Sequence, residues 1–226
     1  MLIEYIATSV EDAIIIEKSG ADRIELVSCL EEGGLTPSYV LIKQVAASVD
    51  IPVNVMVRPY SHSFIYTTSA LELMKRDIYA IGSMGVNGVV LGMLDKTGDI
   101  DFRQLEELLQ ETGDLNVTFH RAIDYSSDPV QSAKKLDTYK EISTILTSGG
   151  LGDWPSRLET LLKMKLVCKD TELLIGSGLT KDNILEIHRL VGTGSYHFGT
   201  AVRINYSALQ GVSLEKATEI VDLLKK

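Results

Sequence analysis

Eight times along the chain, a short run rich in β-branched and aromatic residues gives way to a longer segment with apolar residues three and four apart. No other feature restricts the fold as much. The strand-like runs fall near residues 2–7, 22–27, 52–58, 88–92, 116–121, 142–147, 172–176 and 195–199, each followed by roughly 10–17 residues of helical pattern. Strands that repeat with intervening helices make a parallel sheet, and eight such units predict a closed (β/α)8 barrel of the TIM type, a single domain over residues 1–226. An open doubly wound sheet is the alternative, and it asks for more uniformly apolar strands. Here Ile3-Glu4-Tyr5-Ile6 and Arg23-Ile24-Glu25-Leu26 alternate, placing Glu4 and Glu25 on one face. A barrel interior accepts charge when the charges meet partners.

Helix starts are marked by Ser9 three residues before Asp12, by Thr36 and Asp128 each preceding a proline at the first helical position, and by Ser213 before the last helix. Gly20, Gly85 and Gly113 punctuate helix ends. No Pro/Ser-rich linker or low-complexity block divides the chain.

In parallel α/β proteins sites lie at the C-terminal edge of the sheet. There the run Val117-Thr118-Phe119 ends in His120, Arg121 and, three residues on, Asp124, and Pro52-Val53-Asn54-Val55-Met56-Val57 ends in Arg58. Together with Glu4 and Glu25 on the first two strands, Arg58, His120 and Arg121 make a candidate catalytic set at one mouth. Two carboxylates, an imidazole and guanidiniums suit acid/base chemistry on, or binding of, a small phosphorylated or carboxylated metabolite. Glu4 and His120 are candidates for base and acid, and Arg58 for bidentate anion binding. The same residues would also serve as a mutually paired polar layer closing the barrel.

Ser148-Gly149 after the sixth strand, Gly176-Ser177-Gly178 after the seventh and Gly199-Thr200 after the eighth form glycine-rich loops of the kind that cradle phosphate in such barrels. Tight turns alone would also ask for those glycines. The loop 59–67, with two tyrosines, a phenylalanine and a histidine, is a candidate lid or partner contact. His188 and His197 read as structural, one on a surface helix and one inside the eighth strand. No lysine ends a strand, and no GxSxG elbow, Walker A loop, HExxH helix or full dinucleotide fingerprint is present.

A formal charge of −9 and a pI near 5.0 argue against nucleic acid as a partner. Met1-Leu2-Ile3-Glu4-Tyr5-Ile6 lacks the basic start of a signal peptide, and no run approaches the roughly 20 apolar residues of a membrane span. A cytoplasmic protein without membrane attachment is expected. The two cysteines, Cys29 and Cys168, lie far apart without CxxC or Cys/His spacing and read as unpaired thiols.

Five ordered segments carry a family resemblance: Gly20-Ala21-Asp22-Arg23-Ile24-Glu25-Leu26, Glu32-Gly33-Gly34-Leu35-Thr36-Pro37-Ser38, Val55-Met56-Val57-Arg58-Pro59, Thr118-Phe119-His120-Arg121-Ala122 and Ile145-Leu146-Thr147-Ser148-Gly149-Gly150. Together they resemble the CutC family, known as copper homeostasis proteins, over about residues 1–203. The resemblance implies a TIM-barrel fold, a cytoplasmic location, a homodimer and a role in Cu(I) binding. Family members commonly carry cysteines where this chain has Ile6 and Val27, and a frequent Arg-Gly-Gly-Asp stretch is replaced by Tyr60-Ser61-His62-Ser63. Cu(I) prefers thiolate and thioether donors, so Cys29, helped by Met56, is the candidate metal ligand that remains.

Overall fold

The structure, a computed structural model describing residues 1–225, is a closed parallel barrel with strand order 1 to 8. The strands are β1 (Leu2–Ala7), β2 (Arg23–Leu26), β3 (Val53–Met56), β4 (Gly88–Leu91), β5 (Asn116–Phe119), β6 (Ile142–Thr147), β7 (Glu172–Ile175) and β8 (Ser195–Phe198). The helices are α1 (Val10–Lys18), α2 (Tyr39–Ala46), α3 (Thr68–Ile81), α4 (Phe102–Leu109), α5 (Pro129–Leu136), α6 (Trp154–Val167), α7 (Ile184–Val191) and α8 (Leu214–Lys225). Among the described residues, no helix is long and apolar enough to cross a membrane.

Strand alternation sorts side chains between two environments. Ile3, Tyr5, Ile24, Leu26, Val55, Val89, Leu91, Ile145 and Phe198 join the large core shared with the helices. Tyr5 extends far enough to donate its hydroxyl to the Ala217 carbonyl of α8 at 2.8 Å. The intervening residues face the barrel interior, where Glu4, Arg23, Glu25, Asn54, Thr118 and His197 make a polar layer. Ile6, Val27, Met56 and Val90 pack together as a separate apolar cluster nearer the C-terminal end.

The ladders stop earlier than the sequence runs at two places that matter. β3 ends at Met56 and β5 at Phe119, leaving Arg58, His120 and Arg121 on the connections at the mouth. His120 still donates its amide to Leu91 at 2.8 Å, then opens a 3₁₀ turn over Arg121–Tyr125. That turn redirects the chain across the end of the barrel.

Ser9 and Asp128 cap α1 and α5 as expected, accepting from the Asp12 amide and from the Val130 and Gln131 amides. Thr36 does not cap α2. Its hydroxyl accepts from the Arg58 amide, and Ser38 takes the capping role by accepting from the Leu41 amide. The proline therefore ends an extended segment ahead of the helix rather than starting it.

Candidate functional site

A cavity of about 830 Å³ opens at the C-terminal mouth of the barrel, lined by residues following β2, β3, β5, β7 and β8 and by strand residues that include Glu25 and His197. Beneath it, register sets Glu4 level with Arg23 on one side and His197 on the other. Arg23 Nε donates to Glu4 Oε2 at 2.5 Å, and His197 Nδ1–H donates to Glu4 Oε1 at 2.7 Å. Fixing the Nδ1 proton turns the other ring nitrogen, Nε2, toward Glu25 Oε2, 3.8 Å away. Among the described residues, Glu25 Oε1 has no hydrogen-bond partner although it is fully buried.

These environments drive the two carboxylates apart. Burial opposes charge on both, but Arg23 and His197 hold Glu4 down at about 2. Glu25 has no partner so close, and burial pushes it up to about 7. For His197, burial favours the neutral ring, but Glu25 and Glu4 outweigh it and raise its proton affinity. The sequence expectation that Glu4 meets ligand is corrected by this layering: Glu4 does not line the cavity and instead orients His197. His197, read from sequence as structural, is part of the site.

His120 stands on the β5 side of the cavity with the opposite behaviour. Its Nδ1 accepts the Ala122 amide at 3.1 Å, so the ring proton resides on Nε2, which is buried and has no partner among the described residues. Burial, with the positive charges of Arg58 and Arg121, lowers its pKa to about 3, leaving a neutral imidazole that donates but does not act as an acid. The ring fits because residue 92 is glycine. A Cβ there would lie 2.5 Å from His120 Nδ1 and 2.7 Å from Cε1. Phe64, from the loop 59–67, packs against the same ring at 5.2 Å between centroids.

Of the two guanidiniums, Arg58 is employed differently from the sequence expectation, while Arg121 stands at the mouth as expected. Arg58 Nη1 donates to the carbonyls of Glu32, Gly33 and Gly34, and Nη2 to Ser61, while its plane sits over Phe64 at 4.7 Å. It ties two loops together, and its buried Nε has no partner among the described residues. Bidentate anion binding by Arg58 is therefore corrected, since both terminal nitrogens are engaged. Arg121 is anchored through Nε to Asp124 at 2.8 Å, its side chain is 37% exposed, and it lines the cavity. Its terminal nitrogens remain the guanidinium donors available at the mouth.

The expected phosphate cradle divides in two. Ser148 and Gly149 lie off the cavity, because the Asp124 carboxylate already occupies their loop. It accepts from Thr147 Oγ1 at 2.6 Å, Ser148 Oγ at 2.7 Å and the Ser148 and Gly150 amides. Gly149 itself lies against α6, where a Cβ would meet the Arg157 carbonyl at 2.3 Å. Gly176 likewise serves packing, beside Leu146 and His197. In contrast, Ser177, Gly178, Gly199 and Thr200 do line the cavity. The amides of Gly178, Leu179, Gly199 and Thr200 donate to no protein acceptor among the described residues.

Glu4, Glu25 and His197 are also the three oxygen and nitrogen donors close enough to hold a metal ion among the described residues. Two of the three are already paired: Glu4 with Arg23 and His197, and His197 with Glu4. The Arg23 charge beside them opposes a cation, and a carboxylate-rich set is hard where Cu(I) is soft. The thiols are elsewhere. Cys29 is exposed and outside the cavity lining, and Cys168 lies at the opposite end of the barrel, its thiol pushed up to about 12 by burial. Met56 is the sulfur that the cavity presents. The residues present therefore do not fit a Cu(I) site of the thiolate type.

The CutC family model matches residues 1–202. The chain belongs to the CutC family. A CutC family protein of Photorhabdus laumondii is 38% identical over 192 residues, 85% of this chain and 76% of that one. One from Histophilus somni is 33% identical over 94% of this chain and 87% of its own. The crystal structure of a CutC from Streptococcus agalactiae superposes with a TM-score of 0.81 at 29% identity, covering 88% of this chain and 98% of that one. Phosphoribosyl anthranilate isomerase from Thermococcus kodakaraensis, at 15% identity and a TM-score of 0.67 over 100% of this chain and 99% of its own, shares the barrel fold.

Sequence inspection missed the parts played by His197, Arg23 and Gly92, and it placed Asp124 at the mouth without giving it a role. For His197 a signal existed: in a barrel closed between the first and last strands it falls on the same inward face as Glu4. Gly92, directly after an apolar strand and without a turn requirement, marks a place where a side chain approaches the backbone closely.

Proposed function

We propose that this CutC family member binds a small phosphorylated or carboxylated molecule at the barrel mouth and exchanges protons with it through Glu25. The unpartnered Oε1 of Glu25, buried at the cavity floor beside His197, carries this reading. A buried carboxyl oxygen without a donor costs about 1–3 kcal/mol, a cost tolerated where a ligand supplies the partner. Arg121 and the turn amides at Gly178 and Gly199 would receive the anionic group, and burial, tempered by the charge on His197, holds Glu25 near the middle of the physiological pH range. Calorimetric titration with inorganic phosphate and small dicarboxylates tests the binding. Binding weakened about tenfold or more by Arg121→Gln is expected, and no binding of either class would refute the reading.

A second reading has its own support: the Streptococcus agalactiae relative carries a copper-homeostasis designation. Cu(I) would then depend on Cys29 and Met56, in a cytoplasmic homodimer. Anaerobic Cu(I) titration against a competing chelator separates the two readings. Stoichiometric binding abolished by Cys29→Ser favours copper, whereas binding that is weak or unaffected by that change leaves the anion site.

A further inference from the structure

Resting on the anion-binding reading above, we infer that the ligand is a phosphorylated hydroxy-carbonyl compound and that Glu25 and His120 catalyse proton transfer between its neighbouring carbons. Three features of the cavity point to that class. The unpartnered amides at Gly178, Leu179, Gly199 and Thr200, with the terminal nitrogens of Arg121, suit the oxygens of a phosphate monoester. His120 offers a neutral N–H donor that is buried and unpartnered, the kind of group that polarises a carbonyl without protonating it outright. Glu25 offers a carboxylate with a free oxygen and a relay behind it. An imidazole held neutral and a carboxyl group held near neutrality, in one cavity, separate the roles of electrophile and base.

The step balances without a further reactant. Glu25 Oε1 takes the proton from the carbon adjacent to the carbonyl. The released C–H pair becomes the C=C bond, and the carbonyl π pair moves onto oxygen, where His120 Nε2–H stabilises it. Glu25 then returns the proton to the former carbonyl carbon, while a hydroxyl proton passes to the enediolate oxygen. The product is an isomer of the substrate. Glu4 and Arg23 stay out of contact with the substrate and act by holding His197, which faces Glu25. Phe64, packed on the His120 ring, lines the same cavity and walls the carbonyl end.

The experiment is deuterium exchange. The full chain is incubated in D2O with three- to six-carbon aldose and ketose phosphates, and loss of the C–H signal beside the carbonyl is followed by proton NMR, with binding of inorganic phosphate measured on the same samples. Exchange at least about a hundredfold above the protein-free rate, lost by a similar factor in Glu25→Gln with phosphate binding retained, is the expected result. His120→Gln, which keeps an N–H donor, should retain more exchange than His120→Phe. Phosphate binding without exchange overturns the carbon-acid chemistry and leaves the anion site standing. Failure to bind phosphate overturns the phosphate-ester assignment, failure to bind small dicarboxylates as well overturns the anion site itself, and exchange undiminished in Glu25→Gln overturns the assignment of the base.

Discussion

Replacing Glu25 by Gln should stabilise this protein, and only where Glu25 is ionised. The carboxyl group is buried, its Oε1 has no donor, and its folded pKa is about 7 against an ordinary 4.5. A folded pKa raised above the unfolded one means that the native state holds the proton more tightly. Between pH 4.5 and 7 unfolding therefore releases a proton, and stability falls as pH rises until the folded group also ionises. At roughly 1.4 kcal/mol for each tenfold change in proton affinity, this penalty reaches about 3 kcal/mol above pH 7. Glutamine has the size of the protonated acid and carries no such penalty. Glu25→Gln should thus match the parent near pH 4.5 and exceed it by about 3 kcal/mol at pH 8, raising Tm by roughly 6–12 °C there for a chain of this size. Urea unfolding of both proteins at pH 4.5, 6, 7 and 8 provides the test. A difference that stays constant across that range, or a variant less stable at pH 8, would refute the account of Glu25 as a desolvated carboxyl group whose Oε1 lacks a donor.

Gly92→Ala places a Cβ 2.5 Å from His120 Nδ1, so we expect a loss of about 1–3 kcal/mol in chemical denaturation and a shift of the His120 ring resonances as the bond from the Ala122 amide breaks. Asp124→Asn removes the charge on which four backbone and side-chain donors and Arg121 converge; roughly 2–4 kcal/mol should be lost, compared with less than about 1 kcal/mol for Arg121→Gln, whose side chain is over a third exposed. Arg23→Gln leaves Glu4 buried without its guanidinium and should cost about 3–5 kcal/mol at neutral pH. Glu4's lowered folded pKa makes its contribution present above pH 4.5 and lost as pH falls through about 2, so the Arg23→Gln deficit should shrink in denaturation series taken down through that window.

The barrel was legible because its signal is local and repeated. Runs such as Val53-Asn54-Val55-Met56 and Gly88-Val89-Val90-Leu91 announce buried strands from a few residues each, and eight of them separated by amphipathic segments leave few topologies. The mouth was legible in the same way, since Arg58, His120 and Arg121 follow strand ends directly. What the sequence withheld is which polar groups find each other. Glu4 and His197 are 193 residues apart, and only closure of β1 on β8 sets them at one level. A histidine between Tyr196 and Phe198 reads as packing until that register is known. The Ser148-Gly149-Gly150 loop resembles an anion nest, and it is one, but the anion is Asp124 from the preceding connection. No local pattern distinguishes a nest filled by the protein's own carboxylate from one left for a ligand.

The placement of charge explains why Glu25 and not Glu4 keeps a raised pKa and an unpartnered oxygen, although both enter the barrel on neighbouring strands. Glu4 lies at the level where β2 contributes Arg23 and β8 contributes His197, so both its oxygens are engaged. Glu25 lies two residues further along β2, level with Ile6 on β1, and there the interior changes to the Ile6, Val27, Met56 and Val90 cluster. Aliphatic residues at 6 and 27 lower the dielectric next to Glu25 without offering a donor, which favours its protonated form. The positions that resemblance to other CutC proteins would assign to copper-binding thiols thus serve in this chain as the apolar wall that tunes a carboxyl group. A proton donor and acceptor poised near pH 7 follows from that wall and from the two-residue offset along β2.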